Sequence, residues 1–226
     1  MTRLWRDRAG SVLVEYTIVF PLFILVILGT VDAAYMFFDW AKANKAAFVG
    51  ARYAVTADPV ALNITSPPYT ATQLLQMGNT CFNSSGNSNG NCPSMSSVCT
   101  GAATGGSCTN NYGFNDTSPT FAFKNILTRM QAVFCSGQQP PYTSCPLQRQ
   151  NVMISYATTG VGFVGEPNGF PMTVTVSVQC VTHRFFFIGS LMRWAFTPQT
   201  GCPGPVYGWS VPNFATTLTS EDLITN

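Results

Sequence analysis

An apolar run of membrane-spanning length dominates the first part of the chain. It extends from Ser11 to Val31, SVLVEYTIVFPLFILVILGTV, after a short polar and basic segment. One bilayer crossing needs about 20 apolar residues at ~1.5 Å of helical rise each. Apolar residues continue at helical spacing to Val55, and Asp58-Pro59 predicts the end of the helix. The pattern predicts one helix over residues 11–57, which spans a membrane over about 11–31 and then packs on a domain.

The spacing also predicts which face of this helix is buried beyond the span. Lys42, Lys45 and Arg52 occupy other faces. The predicted buried positions are Phe37, Trp40, Ala41, Phe48, Ala51 and Val55.

Alternating patterns appear in the remaining residues, 58–226. Val174, Val176 and Val178 alternate with Thr and Ser within residues 172–181, which predicts a half-buried strand. Further strands are predicted over 151–158 and 214–219.

Two other segments complete the predicted domain. Residues 118–134 are typical of an amphipathic helix with Ser118 as its N-cap and Pro119 at its first position. The Gly-, Ser- and Asn-rich residues 78–118 predict a long loop. The expected fold class is α+β: a long N-terminal transmembrane and amphipathic helix packed, over its outer half, on a small antiparallel sheet domain with long disulfide-stapled loops.

The charge distribution predicts how the helix is oriented in the membrane. Only 9% of the residues are charged and the formal net charge is +2, which disfavours nucleic acid as a partner. Arg3, Arg6 and Arg8 precede the apolar run, and no Lys or Arg follows closely. The positive-inside rule therefore predicts a cytoplasmic N-terminus and an extracytoplasmic domain over 58–226.

The eight cysteines all follow residue 80, in loop-rich surroundings. Their even number and the absence of C-x2-C spacing favour disulfides in an oxidising compartment over a zinc site or reduced thiols. Eight cysteines allow about 105 pairings, so the sequence leaves the connectivity open. Near-neighbour pairs are favoured because short loops suit such a domain: Cys81–Cys92, Cys99–Cys108, Cys135–Cys145 and Cys180–Cys202.

Glu15 is the only charged residue within the apolar run. A carboxylate in hydrocarbon costs about 2.5–3.5 kcal/mol even on insertion scales. One interpretation is that Glu15 lies shallow and reaches the interface. The other is that cleavage after Gly10 frees the α-amine of Ser11, which is largely cationic at neutral pH. The Glu15 carboxylate could then pair with such an amine on its own or a neighbouring chain.

The residues around Glu15 match a known processing motif. Gly10, four residues and then Glu15-Tyr16 resemble the prepilin peptidase site of Flp-type pilins. The longer stretch, residues 8–57, resembles the TadE-like minor pilins (pseudopilins) of the tight-adherence (Tad/Flp) pilus system. The motifs that carry the resemblance are, in order, Val14-Glu15, Phe20-Pro21, Gly29-Thr30-Val31-Asp32 and Gly50-Ala51-Arg52-Tyr53.

The resemblance implies a structural, non-enzymatic function in pilus biogenesis and adhesion, without cofactor or metal. Residues 1–10 would be a prepilin-type leader that a prepilin peptidase removes between Gly10 and Ser11. Glu15 would support processing and assembly, and Tyr16 would complete the motif. The implied partners are the inner membrane, the peptidase, other pilin subunits and the Tad secretion and pilus assembly machinery. The chain is then expected to cross the bacterial inner membrane once, with a periplasmic domain, or to lie in the surface pilus after assembly.

Two alternatives to this hypothesis remain, one for the N-terminal segment and one for the function of the chain. The basic segment and apolar run also suit an ordinary signal peptide, although Glu15 would interrupt its apolar region and helical spacing continues beyond it. The second-ranked function is a signal-anchored extracytoplasmic binding domain, such as a lectin-like adhesin, that does not polymerise.

Three further features favour structural roles. The G-x-G-x-x-G match at Gly160–Gly165 precedes turn residues rather than a helix, which favours a hairpin loop over a phosphate site. His183, the only histidine, is predicted near a strand end and lies in no catalytic motif. The late aromatic residues are predicted to be core: Phe185–Ile188, Trp194, Phe196, Tyr207 and Trp209.

Overall fold

The structure is a computed structural model that describes residues 8–65, 69–82, 91–165, 171–183, 185–187, 189, 209–210 and 213–220. The chain forms two compact units, one over Met1–Asp39 and Thr182–Ser210 and the other over Trp40–Val181 and Val211–Asn226. In chain order the described elements are α1 (Arg8–Ala54), α2 (Ala71–Leu74), β1 (Ser96–Gly101), β2 (Gly106–Cys108), α3 (Ala122–Phe134), a 3-10 turn (Arg149–Asn151), β3 (Val152–Thr158), β4 (Met172–Val178), β5 (Thr182–His183), β6 (Trp209–Ser210) and β7 (Phe214–Thr219).

Helix α1 is continuous over 47 residues and contains Pro21. It ends at Ala54, before the Asp58-Pro59 stop that the sequence predicts. The amide of Val55 donates to the Ala51 carbonyl and that of Thr56 to the Tyr53 carbonyl, which completes the last turn. The chain then leaves the helix direction early because Val60 and Ala61 enter the core, where both are fully buried.

The second unit is built around an antiparallel sheet, so the predicted α+β class is confirmed. Among the described residues, five strands pair in the order β2-β1-β3-β4-β7. Val174 of β4 lies between Tyr156 of β3 and Leu218 of β7. Val174, Val176 and Val178 are buried, as their alternation predicts, because successive side chains of a strand point to opposite faces.

Two local predictions in this unit are wrong. Residues 78–118 are not a continuous loop, since β1 and β2 form a hairpin there and β1 also pairs with β3. Helix α3 begins at Ala122 rather than Pro119, and its N-cap residue Phe121 makes no side-chain cap. Asp116 supplies the cap instead, since its carboxylate accepts the Lys124 amide at 2.7 Å.

The part of α1 in the second unit buries a face of small residues. Gly50 lies so close to Met130 of α3 that an added Cβ would approach the Met130 Sδ to 2.6 Å. The predicted buried face of α1 is wrong at most positions. Its three aromatic residues, Phe37, Trp40 and Phe48, are exposed, whereas Ala51 is buried as predicted. Small side chains let the helix backbone approach the core closely. The buried alanines are Ala43, Ala46, Ala47, Ala51 and Ala54.

Disulfides close three short loops among the described cysteines. Cys81 pairs with Cys92, Cys99 with Cys108, and Cys135 with Cys145. The second joins β1 to β2, whereas the third holds the residue that ends α3. These are three of the near-neighbour pairs that the sequence favours. The fourth, Cys180–Cys202, includes Cys202, which lies outside the described residues.

Candidate functional site

The N-terminal part of α1 exposes an apolar surface along its length. Leu13, Ile18 and Phe23 are 66%, 61% and 58% exposed. By length and composition α1 can cross a membrane, and the apolar window within it is almost entirely unburied. An exposed apolar surface of this length is typical of a segment that contacts lipid or other apolar helices. The first unit therefore contains a candidate membrane anchor.

The predicted processing residues lie at the start of this helix. Gly10 and Ser11 are inside the first turns of α1, and Glu15 follows Ser11 by four residues. Residues four apart share one face of a helix, so Glu15 lies on the face of Ser11, one turn further along. The Tyr16 ring stacks on Phe20 with centroids 5.5 Å apart. Glu15 and Tyr16 are both exposed and available to a neighbouring molecule.

Asp32 of α1 makes contacts that the sequence did not predict. It is fully buried although it directly follows the apolar run. Its two carboxylate oxygens accept the backbone N–H groups of Phe186 at 3.0 Å and Phe187 at 2.9 Å. These bonds hold the turn of residues 185–187 against α1. The available signal was an acidic residue at the end of a membrane span, which usually has a specific partner.

A second acidic residue of α1 anchors the strand that precedes this turn. The Asp39 carboxylate lies 2.7 Å from Nδ1 of His183, which belongs to β5 and is buried. The Phe185 ring meets the imidazole edge-on, with centroids 5.0 Å apart. His183 Nε2 has no hydrogen-bond partner among the described residues. The prediction that His183 lies near a strand end is confirmed, and its main contact joins β5 to α1.

The residues of the turn itself are exposed, which corrects their assignment to the core. Phe186 is 72% and Phe187 53% exposed. The Phe186 ring packs on Tyr35 of α1 with centroids 5.5 Å apart. These aromatic rings face outward because the Asp32 bonds fix the backbone of the turn and leave its side chains outside. Of the other residues predicted to be core, Ile188, Trp194, Phe196 and Tyr207 lie outside the described residues, and only the backbone of Trp209 is described.

Comparison with known proteins finds a family match within helix α1. Residues 10–52 match the family model for TadE-like protein. The resemblance drawn from the short motifs is thereby confirmed over the segment that contains Glu15, Asp32 and Gly50. No curated protein and no solved structure gives a significant match to the chain. The family match stops two residues before the end of α1, so the TadE-like segment consists of the anchor helix alone.

Outside the TadE-like segment, the second unit has an open cleft beside the β1–β2 hairpin. Its volume is about 490 Å³, and Phe114, Asp116 and Arg149 contribute to its lining. The Arg149 guanidinium pairs with the Asp116 carboxylate and donates to the Gly105 carbonyl at 3.2 Å. It also lies over the Phe123 ring, 5.1 Å from the centroid. The two charges of the cleft therefore neutralise each other and brace the hairpin.

The G-x-G-x-x-G segment also lies outside the TadE-like segment, in the connection between β3 and β4. Gly160, Gly162 and Gly165 have positive φ, which glycine adopts without strain. The Gly162 carbonyl accepts the Cys81 amide at 3.0 Å, and the Val164 amide donates to the Asn79 carbonyl at 2.9 Å. Backbone groups of residues 162 and 164 are thus paired with the segment that contains Asn79 and Cys81, as expected for a structural connection. Among the described residues, no three His, Cys, Asp or Glu side chains cluster to hold a metal ion.

Proposed function

We propose that this chain is a minor pilin-like subunit of a Tad-type (type IVb) pilus, without enzymatic activity, that a prepilin peptidase processes between Gly10 and Ser11. The observation that carries the proposal is the TadE-like match over residues 10–52, which includes the exposed apolar stretch of α1 from Leu13 to Val31. The family suggests a protein associated with the Tad pilus machinery. The exposed helix supplies the surface that membrane insertion and lateral assembly both need.

The same apolar surface suits two successive environments. Before assembly, lipid covers the side chains between Leu13 and Val31, which are largely exposed in the single chain. In a fibre, the corresponding helices of other subunits replace the lipid. Because lipid tails are as apolar as these side chains, transfer into the fibre needs packing and specific polar contacts to be favourable.

Glu15 provides such a polar contact. Cleavage before Ser11 creates an α-amine one helical turn before the Glu15 carboxylate of the same chain. When neighbouring helices lie in register, the α-amine of each neighbour lies at that same level. A carboxylate in hydrocarbon costs about 2.5–3.5 kcal/mol, and an ion pair between adjacent helices offsets part of that cost. Glu15 therefore favours assembly in one register, and removing its charge weakens assembly without hindering insertion.

The disulfide-closed second unit would lie on the periplasmic side and, after assembly, at the pilus surface. The three arginines before the apolar run support that orientation. Disulfides such as Cys99–Cys108 persist in the oxidising periplasm and restrain loops that lack a large core. In this position the unit initiates or modulates the fibre and contacts surfaces during adhesion. Its partners are the peptidase, other pilin subunits and the Tad assembly machinery.

The decisive experiment combines the mature N-terminus with a charge variant. Intact-mass analysis of membrane-extracted protein is expected to show a chain that begins at Ser11. In a strain that carries only Glu15→Gln, membrane insertion stays at the wild-type level or above, whereas surface piliation is lost or strongly reduced. Glu15→Asp is the matched control, since it keeps the charge with a shorter reach and retains part of the piliation. Normal piliation with Glu15→Gln, or a mature start at Met1 or Ala34, contradicts the proposal.

A signal-anchored binding domain that does not polymerise is the second candidate. The observation that favours it is the cleft beside the β1–β2 hairpin, which has a volume of about 490 Å³. This function requires no prepilin processing and no effect of Glu15→Gln on any fibre. The mass of the mature N-terminus therefore separates the two candidates.

A further inference from the structure

We propose that an aromatic collar formed by Tyr35, Phe37, Phe38, Phe186 and Phe187 inserts into the outer interfacial layer of the bilayer that α1 crosses, with Asp32 as the clip that holds the collar together. Each of these side chains is between 51% and 72% exposed. The inference rests on the membrane span of the proposed function and does not depend on pilus assembly. The ligand is the phospholipid bilayer itself, at the level of its headgroups.

The position of the collar along α1 matches the depth of that layer. The apolar run ends at Val31, and Tyr35 to Phe38 lie about 6–10 Å further along the helix axis at ~1.5 Å per residue. The headgroup region on each side of the hydrocarbon core is about 5–8 Å thick. Phe186 lies at the same level, since its amide bonds to Asp32 and its ring packs on Tyr35.

The composition changes at this level in the way an interface requires. Large exposed residues between Leu22 and Val31 are mainly aliphatic, whereas those of the collar are all aromatic. Aromatic side chains form belts where membrane proteins pass through the headgroups, most strongly Trp and Tyr. Single exposed phenylalanines are common on protein surfaces, whereas a group of exposed apolar side chains marks an interaction site, and here five aromatic side chains lie in one unit.

Asp32 makes the insertion of the turn possible. Peptide N–H groups that leave water need a partner, because an unpaired group is costly in a lipid environment. The amides of Phe186 and Phe187 both donate to the Asp32 carboxylate, which is itself fully buried. The two bonds stabilise the carboxylate in turn. These two amides and the acidic side chain then have partners other than water, so the phenylalanine rings can enter the interface while both amides stay paired.

A lipid partner accounts for these features better than a second copy of the chain. Val31 and Tyr35 lie four residues apart on one face of α1 and are 37% and 51% exposed, so the exposed face continues from the span to the collar. The bilayer that covers the span therefore reaches the collar in every molecule, whether or not other subunits are present. A second copy remains an outcome that the experiment detects.

The test is photo-crosslinking in the full-length protein. Phe186→p-benzoylphenylalanine is prepared in the full chain, reconstituted in vesicles of phosphatidylcholine and phosphatidylglycerol, and irradiated. Two exposed apolar positions serve as matched controls: Val26 within the span and Leu75 in the second unit, which are 59% and 88% exposed. Peptide mass spectrometry is expected to show the gain of one phospholipid at Phe186 and at Val26, and no such gain at Leu75.

Each other outcome overturns the inference. If Val26 captures lipid while Phe186 behaves like Leu75, the collar is wrong and the membrane span stands. If Phe186 captures a second copy of the chain, the collar is a protein interface. If neither Val26 nor Phe186 captures lipid, the span fails as well, and the membrane part of the proposed function fails with it.

The hydrogen bonds of Asp32 are tested separately, by hydrogen exchange in the reconstituted protein. Asp32→Asn replaces one acceptor oxygen by an amide donor, which faces an N–H group and cannot bond to it. Hydrogen exchange of the Phe186 and Phe187 amides is expected to accelerate by roughly tenfold or more, because a charge-assisted hydrogen bond is lost. Unchanged exchange at both amides contradicts the role of Asp32, and the crosslinking result with native Asp32 stands independently of how this variant folds.

Discussion

Substituting Gly50 by Ala tests the close packing of α1 in the second unit. An Ala Cβ at this position would lie 2.6 Å from Sδ and 2.8 Å from Cγ of Met130, and 3.3 Å from Cγ1 of Val176. Met130 is fully buried, so its side chain has little room to move aside. Overpacking of this kind costs about 1–3 kcal/mol. Steric overlap therefore lowers the free energy of unfolding of Gly50→Ala, whereas the higher helix propensity of Ala raises it.

The difference in helix propensity between Ala and Gly opposes the steric destabilisation. Ala in a helix interior is favoured over Gly by about 1 kcal/mol. The free energy of unfolding of Gly50→Ala is thus expected to fall by about 0–2 kcal/mol once the overpacking cost is included. Gly29→Ala is the matched control on the same helix, since no atom lies within 4 Å of its Cβ position. It is expected to cause no loss of stability.

A double-mutant cycle with Met130→Ala isolates the steric contribution. This substitution removes both of the nearest atoms and by itself costs about 2–5 kcal/mol through the cavity it leaves. In that background Gly50→Ala is expected to stabilise by about 1 kcal/mol, so that the coupling energy is about 1–3 kcal/mol. Guanidinium titration of the full chain in detergent, with disulfides intact and near-UV circular dichroism as the signal, measures all four proteins. A coupling energy near zero, or a Gly50→Ala variant more stable than wild type, refutes the reasoning.

Two further predictions concern the buried interior and the cysteines. Tyr156→Phe is expected to lower the free energy of unfolding by about 1–3 kcal/mol, because the Val60 amide that donates to the Tyr156 hydroxyl at 2.9 Å loses its partner. Burial raises the pKa of the Tyr156 hydroxyl, so on raising the pH the unfolded chain loses this proton before the folded chain does, and the stability of the wild type falls above pH ~10. Denaturation measured as a function of pH is expected to show a shallower fall in stability for Tyr156→Phe. Equal slopes for the two proteins contradict the burial of this hydroxyl. Non-reducing peptide mapping is expected to find Cys81–Cys92, Cys99–Cys108, Cys135–Cys145 and Cys180–Cys202, each loop closure contributing about 2–4 kcal/mol. Crossed pairs contradict the connectivity, whereas free thiols contradict the oxidising compartment.

Local patterns were sufficient where a single element carries its own signal. The candidate anchor helix follows from an apolar run that only one charged residue, Glu15, interrupts, because no element of a soluble domain needs about 20 largely apolar residues in succession. Strand β4 follows from the alternation of Val174, Val176 and Val178, because the period of a strand assigns alternate side chains to one face. Gly10, Glu15 and Tyr16 were selected by motif spacing, which does not depend on how the domain folds.

The face of α1 that enters the second unit could not be chosen in the same way. Residues 37–55 offer both an aromatic and an alanine face at helical spacing, and hydrophobicity favours the aromatic one. The tertiary structure buries the alanine face because Met130 and Val176 come within contact of Gly50, where no large side chain fits. Likewise β1 forms in a Gly- and Ser-rich segment because β3 and β2 pair with it, and its own propensity gives little sign of that.

The sequence by itself determined the long apolar helix, the resemblance to TadE-like proteins and the strands β3, β4 and β7, since each depends on residues close together in the chain. Only the tertiary structure decided the surroundings of Asp32 and Asp39. Asp32 bonds to amides 154 and 155 residues away, and Asp39 meets His183 across 144 residues. No period or spacing reports contacts at such separations, because they arise when the folded chain brings His183, Phe186 and Phe187 back against α1. The same return exposes Phe186 and Phe187 at the end of the apolar span, although hydrophobicity alone assigns both to the core.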